Sequence, residues 1–360
     1  MKLFSFYKKG FDYIKKYNFI RRRFLIMQNK NNEFDEIINM IESRRNKIYK
    51  MVNEELISLY WDFGKYISKK IKENAWGTKI IDNLVLYLKE KYPNLKGFNR
   101  AGIYRMKQFY ETYINYSIIV STLLRQLNWS SHILILSSTK SIEEKEFYIK
   151  LAIKQNYSTR ELSRQIKSSY YERYSISNNI NNEYLLCKKK DINSRFLDIY
   201  SFEFLNLMEG YDEKELRKEI INHLKQFILE IGKDFSFVGD EYRISVGNDD
   251  FYIDLLFYNR ELNCLVAFEL KIGKFKPEYV SKMNFYLEIL DKTERKRSEN
   301  PSIGIILCAS KDNEVVKYAV SRNISPLKVS TYTLKLIDKK LLEDKLKEIS
   351  YIVDNRLIIK

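Results

Sequence analysis

The segment from Gly247 to Glu288 constrains this chain most, because it combines strand-forming sequence with charges that a sheet does not need. Two runs within it, Phe251–Tyr258 and Asn263–Lys271, are rich in aromatic and β-branched residues. Four residues separate the runs, a length that predicts an antiparallel β-hairpin. We therefore expect a sheet built around this hairpin.

Two carboxylates and one ammonium are embedded in the predicted hairpin. Side chains alternate along a strand, so Glu269 and Lys271 share one face. Asp254 lies opposite Glu269 if the register allows it. Such a carboxylate pair can hold Mg²⁺, and the lysine can orient the attacking water or stabilise developing charge. The alternative is a structural ion pair between Glu269 and Lys271, worth about 0–1 kcal/mol at a surface.

The charge balance favours a polyanionic partner such as nucleic acid. The chain has 63 Lys and Arg residues against 47 Asp and Glu residues, a net charge of +16. Residues 1–30 hold half of that charge, with nine Lys or Arg residues against Asp12. We expect this basic extension to contact nucleic acid, with a membrane surface as the weaker alternative. An AT-rich genome would also enrich Lys, Ile, Asn and Tyr without selection for binding.

Residues 31–177 follow a helical pattern, with apolar residues at helical spacing from Phe34 onward. Ser158 and Glu161 form a capping box that opens a short helix. Three basic residues fall near one face of that helix, as in the recognition helix of a helix-turn-helix domain: Arg160, Arg164 and Lys167. The alternative is a solvated basic face in an ordinary bundle. We expect an all-α, helix-turn-helix-like domain that binds nucleic acid.

A second domain is expected at residues 195–360, after a polar linker at 178–194. Asp212 predicts the start of a helix that Gly232 ends. Strand patterns follow at 235–246, in the hairpin, at 302–310 and near 328–334, with helices at about 277–290 and 313–322. This order is an αβββαβ core. The predicted class is therefore α+β overall, an all-α domain followed by an α/β domain.

Several classes of protein are disfavoured. Cys187, Cys264 and Cys308 are scattered and form no CxxC or Cys/His cluster, so neither a disulfide framework nor a zinc site is predicted. His132 has no second candidate ligand nearby and is interpreted as a packing or capping residue. No apolar run approaches the ~20 residues of a membrane span. We expect a cytoplasmic protein without a membrane partner, and a homo-oligomer is compatible with the sequence.

The hairpin also carries a family resemblance. Asp254, fourteen intervening residues and Glu269-Leu270-Lys271 resemble the PD-(D/E)XK nuclease signature. The longer string, FYIDLLFYNR followed by LVAFELKIGKFKPEYVSKMNFYL, resembles the YhcG-like branch of that superfamily. The resemblance begins near Phe34, which makes Met27 a candidate start of the native chain. Ile253 replaces the proline of the signature, and this leaves the chemistry to the same Asp, Glu and Lys.

The resemblance implies a restriction-endonuclease-like fold for the second domain and a metal-dependent site. Asp254 and Glu269 would bind Mg²⁺, or Mn²⁺, with the backbone carbonyl of Leu270 as a further ligand, and Lys271 would act on the water or the transition state. Glu219 and Glu230 are the candidates for a third carboxylate on the first helix, and either is otherwise a solvated residue. The helix at about 277–290 would reach the site or the phosphate through Lys282, Asn284 and Tyr286.

We therefore expect a metal-dependent nuclease, a DNA endonuclease in the first place, with an N-terminal nucleic-acid-binding domain. The alternative is a catalytically inactive nucleic-acid-binding or complex-assembly protein that retains the nuclease fold. The intact Asp254, Glu269 and Lys271 argue against this alternative, because buried charges without a function are costly.

Overall fold

A computed structural model describes backbone and side chains at residues 34–73, 79–115, 122–177, 196–323 and 325–349, and helical backbone alone at 2–33, 78, 178–184 and 350–358. The chain divides into two compact units, Met1–His132 and Ile133–Lys360. Residues 133–177, which we expected within the helical domain, belong to the same compact unit as the sheet. The expected basic extension (1–30) and linker (178–194) lie outside the residues with described side chains.

The first unit is helical, as the sequence predicted. Its helices are α1 (Lys2–Lys72), α2 (Thr78–Lys91), α3 (Arg100–Tyr113) and the beginning of α4 (Trp129–Ser138). Helices α1 and α3 approach closely at Gly64, where a Cβ atom would stand 2.2 Å from the carbonyl oxygen of Met106. This contact requires glycine, because any side chain there would push the helices apart.

His132 packs in the core of the first unit. Its Nε2 atom lies 2.8 Å from the carbonyl oxygen of Leu124, and its ring meets the edge of Phe109. Burial lowers the pKa of His132 to about 4, and the hydrogen bond to Leu124 offsets only part of this effect. The interpretation of His132 as a packing residue is confirmed.

The second unit surrounds one six-stranded sheet. The helices before the sheet are α5 (Ile142–Lys154), α6 (Thr159–Lys167) and α7 (Tyr170–Tyr184). The rest of the unit comprises β1 (Ile199–Ser201), α8 (Glu213–Asn222), α9 (Leu224–Ile231), β2 (Phe235–Val246), β3 (Asp249–Asn259), β4 (Cys264–Lys274), α10 (Glu278–Thr293), β5 (Ile303–Ser310), α11 (Asn313–Val320), β6 (Leu327–Thr333) and α12 (Lys339–Ile358).

The strand order is β1-β6-β5-β4-β3-β2. Strands β2, β3 and β4 pair antiparallel, whereas β4, β5, β6 and β1 pair parallel. The predicted hairpin is therefore confirmed, and the apolar run at 303–310 is an interior strand, as its composition indicated. The predicted αβββαβ order is present, and the α+β class is confirmed.

Each face of the sheet is covered by its own apolar cluster. Phe227 of α9 packs against Phe257 and Phe268 on one face. On the other face, Met283 of α10 fits over Gly304, where a Cβ atom would lie 2.5 Å from the Met283 Cγ atom. Because side chains alternate along β3 and β4, the charged residues of the hairpin belong to the α10 face.

The helix predicted between Asp212 and Gly232 is interrupted. Asp212 forms the expected capping box with Glu215, and Gly232 follows the last turn, but the helix breaks at His223. The backbone of His223 leaves the helical region (φ −114°, ψ 30°), and its Nδ1 atom lies 3.1 Å from the carbonyl oxygen of Glu219. A side chain that competes for a helix carbonyl favours such a break.

The remaining exclusions concern cysteines and membranes. Cys264 and Cys308 are buried and unpaired, and burial raises the pKa of each thiol to about 12, so both behave as small apolar residues. None of the described helices combines the length and apolar character that a membrane span requires.

Candidate active site

The hairpin register brings the two predicted carboxylates together. Leu255 and Phe268 form the last pair of the β3–β4 ladder, so Asp254 and Glu269 are the next residue on each strand. The amide of Leu270 donates a hydrogen bond to Asp254 Oδ2 at 2.8 Å. The Lys271 ammonium lies 2.9 Å from Glu269 Oε1. The structure thus unites all three residues that the signature predicted.

The two carboxylate oxygens of the buried Glu269 differ in their hydrogen bonding. Its side chain is 1% exposed, and its Oε1 atom accepts from Lys271 and from Lys282, the latter at 2.5 Å. Its Oε2 atom is buried and has no hydrogen-bond partner among the described residues. A buried carboxylate oxygen without a donor costs free energy, so it is the atom most in need of a further ligand.

Asp254 titrates abnormally because of its surroundings. Burial raises the pKa of this carboxyl group, and the adjacent Glu269 carboxylate raises it further. The amide of Leu270 and the nearby lysines oppose this shift only in part. Asp254 and the neighbouring Glu269 carboxylate thus form a site whose negative charge a cation would stabilise.

Lys271 is held by acidic groups on two sides. Its ammonium contacts Glu213 Oε2 at 3.2 Å and the Leu270 carbonyl oxygen at 3.0 Å, in addition to Glu269. Burial opposes the charged form, but the Glu269 and Glu213 carboxylates outweigh it and raise the pKa of Lys271. The residue is therefore cationic at neutral pH and can face a phosphate.

Helix α8 contributes two residues that the sequence reasoning missed, Glu213 and Arg217. Arg217 places Nη1 3.3 Å from Asp254 Oδ1 and Nη2 2.6 Å from Glu241 Oε1. A signal was present: the Asp212 capping box fixes the helix start, and residues 213 and 217 then fall on one face, one turn apart.

The two glutamates proposed as third carboxylates lie elsewhere. Glu219 accepts from the Asn222 side chain at 2.9 Å and from the amide of Asn206 at 3.4 Å. Glu230 is fully buried between Arg164 and Arg173, which lower its pKa although burial alone would raise it. The structure brings neither glutamate to the hairpin carboxylates, because α8 and α9 present those positions to other parts of the unit.

The predicted nucleic-acid contacts divide into four groups. Arg160 and Lys167 are exposed on α6, whereas Arg164 is 18% exposed and pairs with Glu203 and Glu230. Lys282 reaches Glu269, and its ammonium lies 5.3 Å from the ring centroid of Tyr286, so both residues join the site. Asn284 faces away and donates to the Asn323 side chain.

The donor set can be tested against a divalent cation. Within the described ranges, no group of three or more His, Cys, Asp or Glu residues could hold a metal ion. Asp254, Glu269 and the Leu270 carbonyl supply hard oxygen donors, and Glu269 Oε2 has no hydrogen-bond partner among the described residues. Mg²⁺ keeps several waters and needs only one or two protein carboxylates, so the residues fit such an ion.

The chain matches two family models. Residues 193–347 match the YhcG PDDEXK nuclease domain, and residues 36–173 match the DUF1016 N-terminal domain. A relative from Escherichia coli (strain K12), named "Putative nuclease YhcG", is 29% identical over 351 aligned residues, which cover 87% of this chain and 92% of that protein.

Solved structures with partial similarity include a repair endonuclease from Pyrococcus abyssi, at 20% identity and a TM-score of 0.24 over 36% of this chain and 50% of that one. A complex of EndoMS with double-stranded DNA shows 18% identity and a TM-score of 0.25 over 34% of this chain and 49% of that one. The chain thus spans about half the length of these structures. By these matches, residues 193–347 form a PDDEXK nuclease domain of the YhcG type, preceded at residues 36–173 by a DUF1016-type N-terminal domain.

Proposed function

We propose that this nuclease is a divalent-metal-dependent DNA endonuclease whose active site is formed by Asp254, Glu269 and Lys271. The observation that carries the proposal is Glu269 Oε2, a buried carboxylate oxygen without a described hydrogen-bond partner, beside the Asp254 carboxylate. A site that served only stability would bond this atom. The net charge of +16 supports a polyanionic substrate.

The metal would be Mg²⁺, with Mn²⁺ as a substitute. Asp254, Glu269 and the Leu270 carbonyl would hold it, since all three offer hard oxygen donors. When bound, such an ion lowers the pKa of a coordinated water and neutralises charge on the phosphate. The resident cations around Glu269 and Asp254, chiefly Lys282 and Arg217, would shift their contacts toward the substrate.

Each basic side chain at the site has a distinct role in this proposal. Lys271, oriented by Glu213 and Glu269, orients the attacking water or stabilises charge on the scissile phosphate. Arg217 offers a planar fork that suits phosphate oxygens. Lys282, whose side chain is 45% exposed, contacts the backbone of the nucleic acid.

A second part of the proposal concerns helix α6. Arg160 and Lys167 are exposed there and are proposed to contact phosphates, in keeping with a nucleic-acid-binding role for the region before the nuclease domain. Arg164 is excluded from this role because breaking its pair with the fully buried Glu230 would leave a buried charge uncompensated.

The test compares wild-type protein with Asp254→Asn on plasmid, linear, branched and single-stranded DNA and on RNA, with Mg²⁺, Mn²⁺ or EDTA. We expect cleavage of DNA that requires metal and falls at least about 100-fold in the variant, because a neutral amide is a poor cation ligand. Glu219→Gln is the control and should cleave normally, because this carboxylate lies away from the hairpin carboxylates and contacts Asn222 and Asn206 instead.

Metal binding provides a readout that is independent of cleavage. Titration calorimetry with Mn²⁺ should detect binding to wild type and to Glu219→Gln but not to Asp254→Asn. Cleavage that persists in EDTA would contradict metal dependence. Equal nucleic-acid binding without cleavage by either protein would favour an inactive binding or assembly protein.

A further inference from the structure

Helix α1 carries apolar residues that nothing in the described chain covers. Every described residue from Phe34 to Val52 is exposed. The helix then enters the core, where Ile57 is 1% exposed and Ile67 is fully buried. An isolated helix is marginal in water and owes most of its stability to a packed apolar face. Within the described residues, the segment 34–52 of α1 therefore lacks the partner that the segment after Val52 has.

Five of the exposed apolar residues of this segment are arranged as a seam. Phe34, Ile38, Ile41, Ile48 and Val52 are spaced by four, three, seven and four residues and are 50–60% exposed. Spacings of three and four place them on one helix face, which is the pattern of a two-helix coiled coil. Arg45 occupies the one seam position that is not apolar. The seam from Phe34 to Val52 spans about 27 Å at the rise of an α-helix.

The charges of residues 34–52 are distributed asymmetrically along the helix. The half before Ser43 carries Asp35, Glu36 and Glu42, and the half after it carries four basic residues: Arg44, Arg45, Lys47 and Lys50. None of these seven residues forms an ion pair with another residue of the described chain. At about 100° per residue, Glu36, Lys47 and Lys50 lie on the side of the helix opposite the seam, whereas Glu42 flanks the seam and Arg45 lies within it. Glu42 and Arg45 are therefore the charges that a helix docked on the seam would contact.

We propose that a second copy of this chain docks antiparallel along residues 34–52 of α1. A two-fold contact centred near Ser43 brings Glu42 of each copy beside Arg45 of the other, and both contacts are identical. Phe34 then faces Val52 and Ile38 faces Ile48. Arg45 faces Ile41 of the partner, with the partner's Glu42 one residue away, and its aliphatic stem can extend the apolar seam.

The parallel arrangement is disfavoured by the same residues. In register, it would set Arg45 of one copy against Arg45 of the other in the apolar seam. A nucleic-acid partner is disfavoured as well, because the face is apolar and bordered by Asp35 and Glu42. This inference does not depend on the nuclease activity.

The first experiment measures the mass of the full-length protein by sedimentation velocity between about 1 and 100 μM, the range in which a modest interface dissociates. We expect a wild-type dimer that Ile38→Asp with Ile48→Asp converts to a monomer, the dissociation constant rising at least about 100-fold. The matched control, Leu86→Asp with Leu341→Asp, replaces two equally exposed apolar residues outside the seam and should remain dimeric.

Circular dichroism melts of all three proteins show whether the substitutions leave the fold intact, as the exposure of every changed residue leads us to expect. A wild-type protein that is monomeric at 100 μM overturns the proposal. So does a seam variant that folds and remains dimeric.

Disulfide trapping tests the direction of the helices. Ile38→Cys and Ile48→Cys are made separately with Cys187→Ser, while Cys264 and Cys308 stay because they are buried. In the antiparallel dimer only a mixture of the two variants forms a disulfide under mild oxidation, since Ile38 of each copy lies about 15 Å along the axis from Ile38 of the other. A disulfide formed by either variant alone overturns the antiparallel arrangement.

Discussion

Two buried glutamates of the second unit, Glu230 and Glu269, each meet two basic side chains but are bonded differently. Glu230 Oε2 accepts from Arg164 at 3.0 Å, and Oε1 accepts from Arg173 and, at 2.8 Å, from the amide of Ser201. Glu269 has both of its lysine contacts on Oε1 and none on Oε2 within the described chain.

The difference separates a structural cluster from a chemical one. A buried carboxylate whose two oxygens are both bonded has little capacity for another ligand, and the charge of Glu230 is stabilised despite its burial. A carboxylate with one unbonded oxygen beside a second carboxylate carries a free-energy cost. Such a cost persists where function requires it, and Glu269 is therefore the glutamate to which we assign chemistry.

The largest contrast is expected from Glu269→Gln. Loss of this carboxylate removes a cation ligand and the partner of Lys271, so cleavage should fall on the order of 1,000-fold, equivalent to about 4 kcal/mol of transition-state stabilisation. Initial rates at saturating Mg²⁺ measure the effect. Glu219→Gln serves as the control, and a Glu269→Gln variant with more than a tenth of wild-type activity would contradict the assignment.

Glu230→Gln should act on stability instead. The change leaves the fully buried Arg173 without its charged partner, and breaking a buried pair in this way costs about 3–5 kcal/mol of unfolding free energy. Urea denaturation followed by circular dichroism measures the loss. Glu269→Gln is the comparison variant, with a smaller loss, because half-exposed Lys282 can turn to solvent. Equal losses of unfolding free energy in the two variants would contradict the distinction between the structural Glu230 cluster and the Glu269 site.

Lys271→Met should reduce cleavage about 100-fold, the scale of losing one charged group that acts in the transition state. Methionine keeps the unbranched shape of the side chain without its ammonium, so substrate binding should change much less than turnover. Single-turnover cleavage separates the two quantities. Lys225→Met, at an exposed lysine of α9, controls for the loss of one positive charge.

The pH dependence of stability sharpens the comparison further. Arg173 and Arg164 outweigh the effect of burial and lower the pKa of Glu230 below its ordinary value of 4.5. A carboxyl group with a lowered pKa stabilises the fold above its unfolded pKa, and this contribution is lost as the pH falls through the folded pKa. The deficit of Glu230→Gln should therefore be constant above about pH 5.5 and shrink below pH 4.5.

Urea unfolding of wild type and Glu230→Gln at pH 7, 5, 4 and 3 tests this direction. A deficit that grows on acidification would show that Glu230 is not the charged partner of the two arginines.

The smallest effect is expected from Glu213→Gln. Glu213 contacts Lys271 at 3.2 Å but is 44% exposed, so solvent screens the interaction and cleavage should fall only about three- to tenfold. Glu213 is a positioning residue, and its loss should shift the alkaline limb of the pH–rate profile to lower pH by destabilising the Lys271 ammonium. Glu213→Asp should restore part of the activity, and an unchanged profile would remove Glu213 from the site.

Much of the nuclease domain was predictable because its strands, turn and helix caps depend on residues that are close together in the sequence. Alternating apolar residues determine the faces of β3 and β4, and the four-residue connection determines their antiparallel pairing. The proximity of Asp254 to Glu269 follows from that register. The capping boxes at Ser158 and Asp212 were likewise confirmed, since a cap needs only residues three positions apart.

The predictions that the structure corrected concern contacts between segments that are far apart in the sequence. Glu230 and Glu213 both lie on the predicted helical stretch, and only its break at His223 and its packing decide which one meets Lys271. Arg164 looked like a surface residue because its sequence neighbours are polar, yet its partner Glu230 is 66 residues away. Periodicity assigns a residue to a face, but it does not name what covers that face.

By itself, the sequence determined the fold class and the hairpin, and it predicted Asp254, Glu269 and Lys271 as the site. These features depend on residue spacing along one segment, where the pleat and the turn leave few alternatives. Only the tertiary structure decided which helix residues join the site. It also decided which carboxylate oxygen has no hydrogen-bond partner, and which apolar stripe of α1 is exposed, among the residues that the structure describes. Those outcomes depend on packing between segments far apart in the chain, which local physics does not specify.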